Sequence, residues 1–221
     1  MSLKKPFPEL LVWRDAIARP GPACMAIDEL LLRKLGELPV LRTYEWGGAW
    51  ASVGYFGNVE AARTKFAAEV SIVKRWTGGG VVDHREDFTY SLVIPPSHPL
   101  SKAGRREVYR VVHEAVAAAL QACGVEARLV AQDVPGESVQ CFEKPVAWDV
   151  VSPDGSKLAG AGQRRTRDGF LHQGSVLAPG LTGKRTAFVE ALVSGLAGTP
   201  TDWEPEGSLL AEARELAAGK Y

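Results

Sequence analysis

The sequence has no surplus of either charge. Its 221 residues carry 26 Lys plus Arg against 26 Asp plus Glu, so no global field draws the chain to nucleic acid or to an anionic membrane, and a polyanionic partner has to be recognised by a local patch. It also lacks a long apolar run. Nothing approaches the ~20 residues that span a bilayer, and the opening MSLKKPFPEL has basic residues with no apolar stretch behind them, which reads as a cytoplasmic chain. Cysteine is scarce: Cys24, Cys123 and Cys141 are odd in number and far apart, which argues against a disulfide framework and against a structural zinc site. His84, His98, His113 and His172 are equally scattered, and no metal is expected. Repeats and low-complexity linkers are missing too. With 46% hydrophobic and 24% charged residues, the length suits one sizeable core, and a single domain over 1–221 is expected.

What is present alternates between helical and strand-like stretches. ACMAIDELLLRKL sets Met25, Ile27, Leu30 and Leu31 against Asp28, Glu29 and Arg33, the pattern of a helix with one buried face over 23–35. LRTYEWGGAWASVGY breaks at Gly47-Gly48 between two strand-like runs and reads as a hairpin; NVEAARTKFAAEV follows as a helix capped by Asn58. VSIVKRW and DFTYSLVIPP are strands on either side of a glycine run. RREVYRVVHEAVAAALQACG is a long helix that stops at Gly124 and buries Val108, Val111, Val112 and Ala115. Beyond it VAWDVVS, KLAGAGQRR and FLHQGSVLA, separated by PDGS and RDG, predict three antiparallel strands, and two helical segments close the tail.

The glycine run, KRWTGGGVVDH, is the most unusual stretch. It is no Walker loop, because no Lys-Ser or Lys-Thr follows, and GLTGKRT fails the same test; it is no dinucleotide fingerprint, because the spaced third glycine is missing and a strand follows. Two readings remain: a glycine-rich bulge between strands, or a bare backbone on which an extended ligand lies flat. Arg75 and His84 at its ends read either as contacts to a polar head group or as solvated or structurally paired residues. Lys157 opens a strand of small residues, LAGAG, that lets a ligand carbonyl approach its ammonium. As a lone lysine it reads as solvated.

The order of these segments, KRWTGGGVVDH then DFTYSLVIP, and later KLAGAGQRR then LHQGSV, resembles the lipoate and octanoate branch of the biotin/lipoate protein ligase family, with MAIDELLL and RTYEWGGAWASVGYF similar to its opening helix and first hairpin. The likeness runs over about 23–178 and leaves a helical tail, 179–221. It implies an α/β (α+β) catalytic-domain fold with a mixed, largely antiparallel sheet and flanking helices, and an enzyme that attaches an octanoyl or lipoyl group to a lysine of a lipoyl carrier domain. The acceptors it implies are lipoyl domains of 2-oxoacid dehydrogenases or the glycine cleavage H protein, and no nucleic acid or membrane. Substrate-binding positions carried over are Arg75, Thr77, Gly78, Gly79, Gly80, His84, Gly160, Gln163, His172, Gly174 and Ser175, with Lys157 catalytic.

Two chemistries share that family. An ATP-dependent lipoate–protein ligase uses ATP and Mg2+ to form an acyl-adenylate and needs no thiol; a cysteine octanoyltransferase takes a thioester from acyl carrier protein, through a cysteine, with no cofactor. ESVQCFEKPVAWDVV resembles the transferase pattern and makes Cys141 the nucleophile, and the ligases' Gly-Asn and Asn-Asp pairs are absent here. The short tail, with no room for the extra domain of many ligases, also favours transfer. A carrier-binding homologue without catalysis is the third class. Gly57, Trp76, Gly80, Ala161 and the order His172-Gln173 depart from the family's usual residues.

Overall fold

The computed structural model describes residues 5–34, 36–131 and 146–221. The first half of the chain holds β1 (Phe7–Arg14), α1 (Gly21–Arg33), β2 (Val40–Tyr44), β3 (Trp50–Val53), α2 (Val59–Arg63), β4 (Ser71–Lys74), β5 (Val81–Asp83) and β6 (Phe88–Ile94). Then come α3 (Pro99–Ala103), α4 (Arg105–Ala122), β7 (Arg128–Leu129), β8 (Val150–Val151), β9 (Lys157–Thr166) and β10 (Gly169–Val176). A 3-10 turn at Pro179–Leu181, α5 (Arg185–Leu196), β11 (Ala197–Asp202) and α6 (Gly207–Lys220) complete the order.

An eight-stranded sheet runs β11-β1-β2-β6-β10-β9-β8-β7, and a three-stranded one runs β4-β3-β5. In the large sheet β1 is parallel to β11 and β2, and the other pairs are antiparallel. This is the mixed, mostly antiparallel α+β architecture. Strand periodicity divides the labour between the two faces of the large sheet. In the β6–β10 register, Phe170 with Ile94, His172 with Leu92, Gly174 with Tyr90 and Val176 with Phe88 share one face, and there α4 and α5 bury Val108, Val112, Val116, Leu120, Phe188 and Leu192. Leu171 with Val93, Gln173 with Ser91 and Ser175 with Thr89 take the other. Leu171 and Val93 pack under α1 there, while the polar pairs lead to the functional cleft.

Several local expectations hold for physical reasons. Asn58 accepts the N–H of Ala61 at 3.1 Å and starts α2, Gly124 ends α4 at φ +78, and Gly155 and Gly169 take positive φ in the two turns of the meander. Two expectations need correction. Gly47-Gly48 is not the turn of a hairpin: β2 pairs with β1 and β6 in the large sheet, whereas β3 pairs with β4 and β5, so the glycines carry the chain from one sheet to the other. The tail is not wholly helical either, since β11 adds a parallel edge strand to β1, where Pro200, opposite Leu10, is tolerated because an edge strand leaves one row of N–H groups unpaired. No described helix is long and apolar enough to cross a membrane.

Candidate active site

The polar face of β10 and the small residues of β9 border a narrow cleft. Apolar atoms of Met25, Tyr44, Trp46 and Val82 form its walls; Gly160, Ala161, Gly162 and Gly174 keep its floor thin; Arg75, His84, Lys157, Gln173 and Ser175 supply its polar groups. The mix of an apolar slot and a few convergent polar side chains suits an extended, mostly apolar ligand with one polar end.

Lys157 is built in rather than solvated. Its side chain is 5% exposed, and Nζ lies 2.7 Å from Oδ2 of the fully buried Asp149. Gly160 makes the room: a Cβ there would lie 2.4 Å from Lys157 Cε and 2.6 Å from Nζ. Asp149 Oδ2 also accepts the N–H of Val146 at 2.8 Å, and Oδ1 accepts from the Tyr109 hydroxyl, which itself accepts the N–H of Ala161 at 3.0 Å. A cation held at the wall of an apolar cleft can stabilise charge that develops on a carbonyl oxygen placed there.

The opposite wall is a chain of hydrogen bonds. Arg75 donates to the Ser52 carbonyl (3.0 Å) and to Ser52 Oγ (2.7 Å), so the serine's own proton is free for His84 Nε2, 2.6 Å away. His84 Nδ1 lies 2.7 Å from Asp87 Oδ2, which also accepts from Ser175 and Thr89. The His84 ring stacks on Trp46 at 4.0 Å. The sequence serine, histidine, carboxylate has the spacing of a nucleophilic triad, but Ser52 is fully buried and accepts from a guanidinium, so it is a wall and not a nucleophile. A third network lies beneath: Thr77 donates to Gln173 (2.7 Å), Gln173 to Asp28 (2.8 Å), and the fully buried Arg42 to Asp28 (2.8 Å) and Asp15 (2.8 Å).

The three glycines take a structural position behind that wall. Arg75 donates to the carbonyls of Gly78 (3.2 Å) and Gly80 (3.0 Å). The loop is wedged between two other bare backbones: a Cβ on Gly54 would lie 2.0 Å from the Gly79 carbonyl, and one on Gly162 would lie 2.5 Å from that of Gly78. Arg75, His84, Lys157, Gly160, Gly174 and Ser175 thus meet at the cleft, with Thr77 one step removed through Gln173. His172 and Gln163 stand apart, on the α4 side of the sheet, where Gln163 lies 3.1 Å from His172 Nδ1 and the Tyr90 hydroxyl 3.2 Å from Nε2. Burial, reinforced by neighbouring His113, pushes the His172 pKa well below the ordinary value and keeps the ring neutral. Cys141 lies outside the described residues. Of the two described cysteines, both buried, Cys24 has its thiol pushed up to about 12 by burial, which leaves it inert. The sequence did not single out Tyr109, Asp87 or Ser52, and it saw Asp149 only beside Trp148; Asp28, set on the polar face of α1, is fully buried instead, because Arg42, Ser91 and Gln173 bond to it from other elements.

The model of the lipoyl protein ligase A/B catalytic domain matches residues 21–197. The chain belongs to this family. Curated relatives named octanoyltransferase LipM include that of Kyrpidia tusciae, 34% identical over 75% of this chain and 65% of its own length, and that of Bacillus subtilis, 34% identical over 69% and 60%. The chain therefore spans about three fifths to two thirds of the length of the relatives it matches. Among solved structures, a lipoate-protein ligase A bound with ATP superposes with a TM-score of 0.72 at 20% identity, over 96% of this chain and 95% of that one. A bipartite lipoate protein ligase from Thermoplasma acidophilum, solved as part of a lipoylation system with its E2 lipoyl domain, gives 0.68 at 21% identity, over 98% and 94%. These structural likenesses establish the lipoyl protein ligase fold. The family match starts in α1 and ends at the first residue of β11, so it takes in both networks that wall the cleft.

Proposed function

We propose that this chain is a cytoplasmic octanoyltransferase, with one catalytic domain, that moves an octanoyl group from an acyl-carrier-protein thioester to a lysine of a lipoyl domain through an acyl-enzyme on Cys141. The observation that carries the reading is the Lys157 ammonium at the wall of an apolar cleft, in a chain a third identical to proteins named octanoyltransferase. The Cys141 thiolate attacks the donor carbonyl, the bond to the carrier sulfur breaks, and the carrier thiol leaves with a proton. The neutral amine of the acceptor lysine then attacks the acyl-cysteine; the amide forms, the amine proton passes to solvent and the Cys141 thiolate is restored. The first step exchanges one thioester for another and is near neutral, and the second turns a thioester into an amide and runs downhill, so neither needs ATP or Mg2+. Lys157 favours the oxyanion in both steps, a contribution worth about 10²–10³ in rate. Roughly 0.8 kcal/mol per buried methylene holds the acyl chain in the slot, with Arg75, Thr77, Gly78, Gly79, Gly80, His84, Gly160, Gly174 and Ser175 forming or supporting its walls, while Gln163 and His172 lie on the α4 side of the sheet. The acceptors are lipoyl domains of 2-oxoacid dehydrogenases or the glycine cleavage H protein.

The test is intact mass after incubation with octanoyl carrier protein, with and without ATP, followed by a lipoyl domain. The expected result is an octanoyl adduct without ATP, lost on addition of the lipoyl domain as that domain gains the same mass; Cys141→Ala forms no adduct, and Cys24→Ala and Cys123→Ala behave like the parent. Full activity of Cys141→Ala that depends on ATP, Mg2+ and free octanoate or lipoate would replace this reading with the ligase. Carrier binding with no turnover under either condition would make the chain a non-catalytic homologue.

A further inference from the structure

Two side chains of α4, one helical turn apart, hold two consecutive residues of the segment that leads into β8. Tyr109 donates to Asp149 Oδ1. His113 Nδ1 lies 2.7 Å from the carbonyl oxygen of Trp148; a carbonyl only accepts, so the proton sits on Nδ1. Trp148 is, among the described residues, the one non-glycine residue with φ in the left-handed region, at +72, a conformation that persists where the surroundings fix it. The same peptide is tied from its other side, since Trp148 donates its N–H to Val130 (2.8 Å) and Val130 donates to Asp149 (2.9 Å).

We infer that Tyr109 and His113 are positioning residues for the reaction: they lock the Trp148-Asp149 peptide, and through the Asp149 carboxylate they set where the Lys157 ammonium stands at the wall of the cleft. The inference rests on the octanoyltransferase reading for its kinetic consequence, and on contacts alone for its geometry. Asp149 has no other way to aim Lys157 than by its own orientation, and each of its oxygens is shared: Oδ2 between Lys157 and the Val146 N–H, Oδ1 with Tyr109. Tyr109 also caps the N–H of Ala161, so the same hydroxyl joins the carboxylate to the strand that forms the cleft floor. His113 is neutral, its pKa pushed down to about 4 by burial in spite of the pull of Asp149 and of the bond to Trp148, and the Trp148 carbonyl fixes which nitrogen carries the proton. Its Nε2 is buried with no hydrogen-bond partner among the described residues. Leucine would be cheaper to bury there, so the bond that Nδ1 makes to Trp148 is what the histidine adds.

Tyr109→Phe keeps the ring against His113 and removes only the hydroxyl. His113→Leu removes the donor and the orphan nitrogen together, and His113→Asn returns a donor near the position of Nδ1. For octanoyl transfer from carrier protein to a lipoyl domain, the expected result is a fall in kcat of about 10- to 100-fold in Tyr109→Phe and His113→Leu, with KM for both substrates within about twofold, and recovery of most of the rate in His113→Asn. A structural role alone predicts a loss of melting temperature with normal kcat in the folded fraction, and that outcome overturns the inference, as does a rise in KM at constant kcat. A second readout does not need turnover. The 15N resonance of the Lys157 ammonium, assigned by its loss in Lys157→Arg, is expected to shift or broaden in Tyr109→Phe and His113→Leu and to return in His113→Asn. If the parent transfers no octanoyl group, the functional reading fails while this readout still decides the geometry; a resonance unchanged in Tyr109→Phe and His113→Leu overturns the inference.

Discussion

The two ends of the cleft handle polarity in opposite ways. At the Arg75 end, Ser52, His84, Asp87, Ser175 and the glycine carbonyls bond chiefly to one another, and the product is a shape: a rigid, thin wall against which an apolar chain can lie. At the Lys157 end, Asp149 pairs with the ammonium, Tyr109 bonds to Asp149 and His113 bonds to the carbonyl of Trp148, and the product is a held charge. Both are buried polar networks; on the octanoyltransferase reading proposed above, changes at the first are expected to alter who fits, and changes at the second how fast a bound carbonyl reacts.

Removing the charge should have the largest effect. Lys157→Ala is expected to lower octanoyl transfer by about 10²–10³, measured by single turnover. Read from sequence alone, that change spares the fold. The ion pair says otherwise, because Asp149 would be left buried and unpaired at a cost of about 3–5 kcal/mol, so kinetics belong well below the variant's melting temperature. A rate within tenfold of the parent in the folded fraction would remove Lys157 from the chemistry. Lys157→Arg should not rescue, since a planar fork does not fit beside Gly160.

Acid is the next lever, and it acts on the same end. The unfolded chain protonates His113 near 6.5 and the folded chain only near 4, so stability falls as the pH drops through that interval and levels off below it. At about 1.4 kcal/mol per unit the loss is roughly 3 kcal/mol, and His172, shifted the same way, adds to it. The proton would enter a pocket shared with His172, Tyr109, Asp149 and Lys157. Urea unfolding at pH 7, 5.5 and 4 should show this slope in the parent and a shallower one in His113→Asn; equal slopes would mean that His113 is not the group responsible.

How much of this was legible follows from how far apart the partners are in the chain. Local signals were readable: the Asn58 cap, the PDGS and RDG turns, and the period of α4, whose Val108, Val112 and Ala115 are buried while Val111 is only partly so. Lys157 and the glycines were found through their pattern and their likeness to a family. Asp149 was visible only as half of Trp148-Asp149, because its meaning lies in Tyr109, 40 residues upstream. Tyr109 and His113 do share one helix face, and that i, i+4 pair beside buried valines was the available signal. Strand β11 was missed because the tail was read as helical segments, and its Pro200 is tolerated because β11 is an edge strand; β1, which lies between β11 and β2, was not assigned from the sequence.

The sharpest contrast between the two ends comes from adding a single methyl group. At Gly160 the new Cβ meets Lys157 Cε at 2.4 Å and Asp149 Oδ1 at 3.2 Å; the lysine tip is flexible and can move aside, so Gly160→Ala should keep its melting temperature within a few degrees while transfer falls about tenfold, because the ammonium is displaced. At Gly162 the new Cβ meets the Gly78 carbonyl at 2.5 Å, and at Gly54 it meets the Gly79 carbonyl at 2.0 Å. Those are backbone atoms, in a loop whose Gly78 and Gly80 carbonyls Arg75 holds, so the cost of overpacking, about 1–3 kcal/mol, should appear as lost stability. Thermal unfolding and donor kinetics on Gly160→Ala, Gly162→Ala and Gly54→Ala separate the cases. If all three lose stability alike and the folded fractions turn over normally, the cleft has no charged end distinct from its shaped one, and the glycines serve packing throughout.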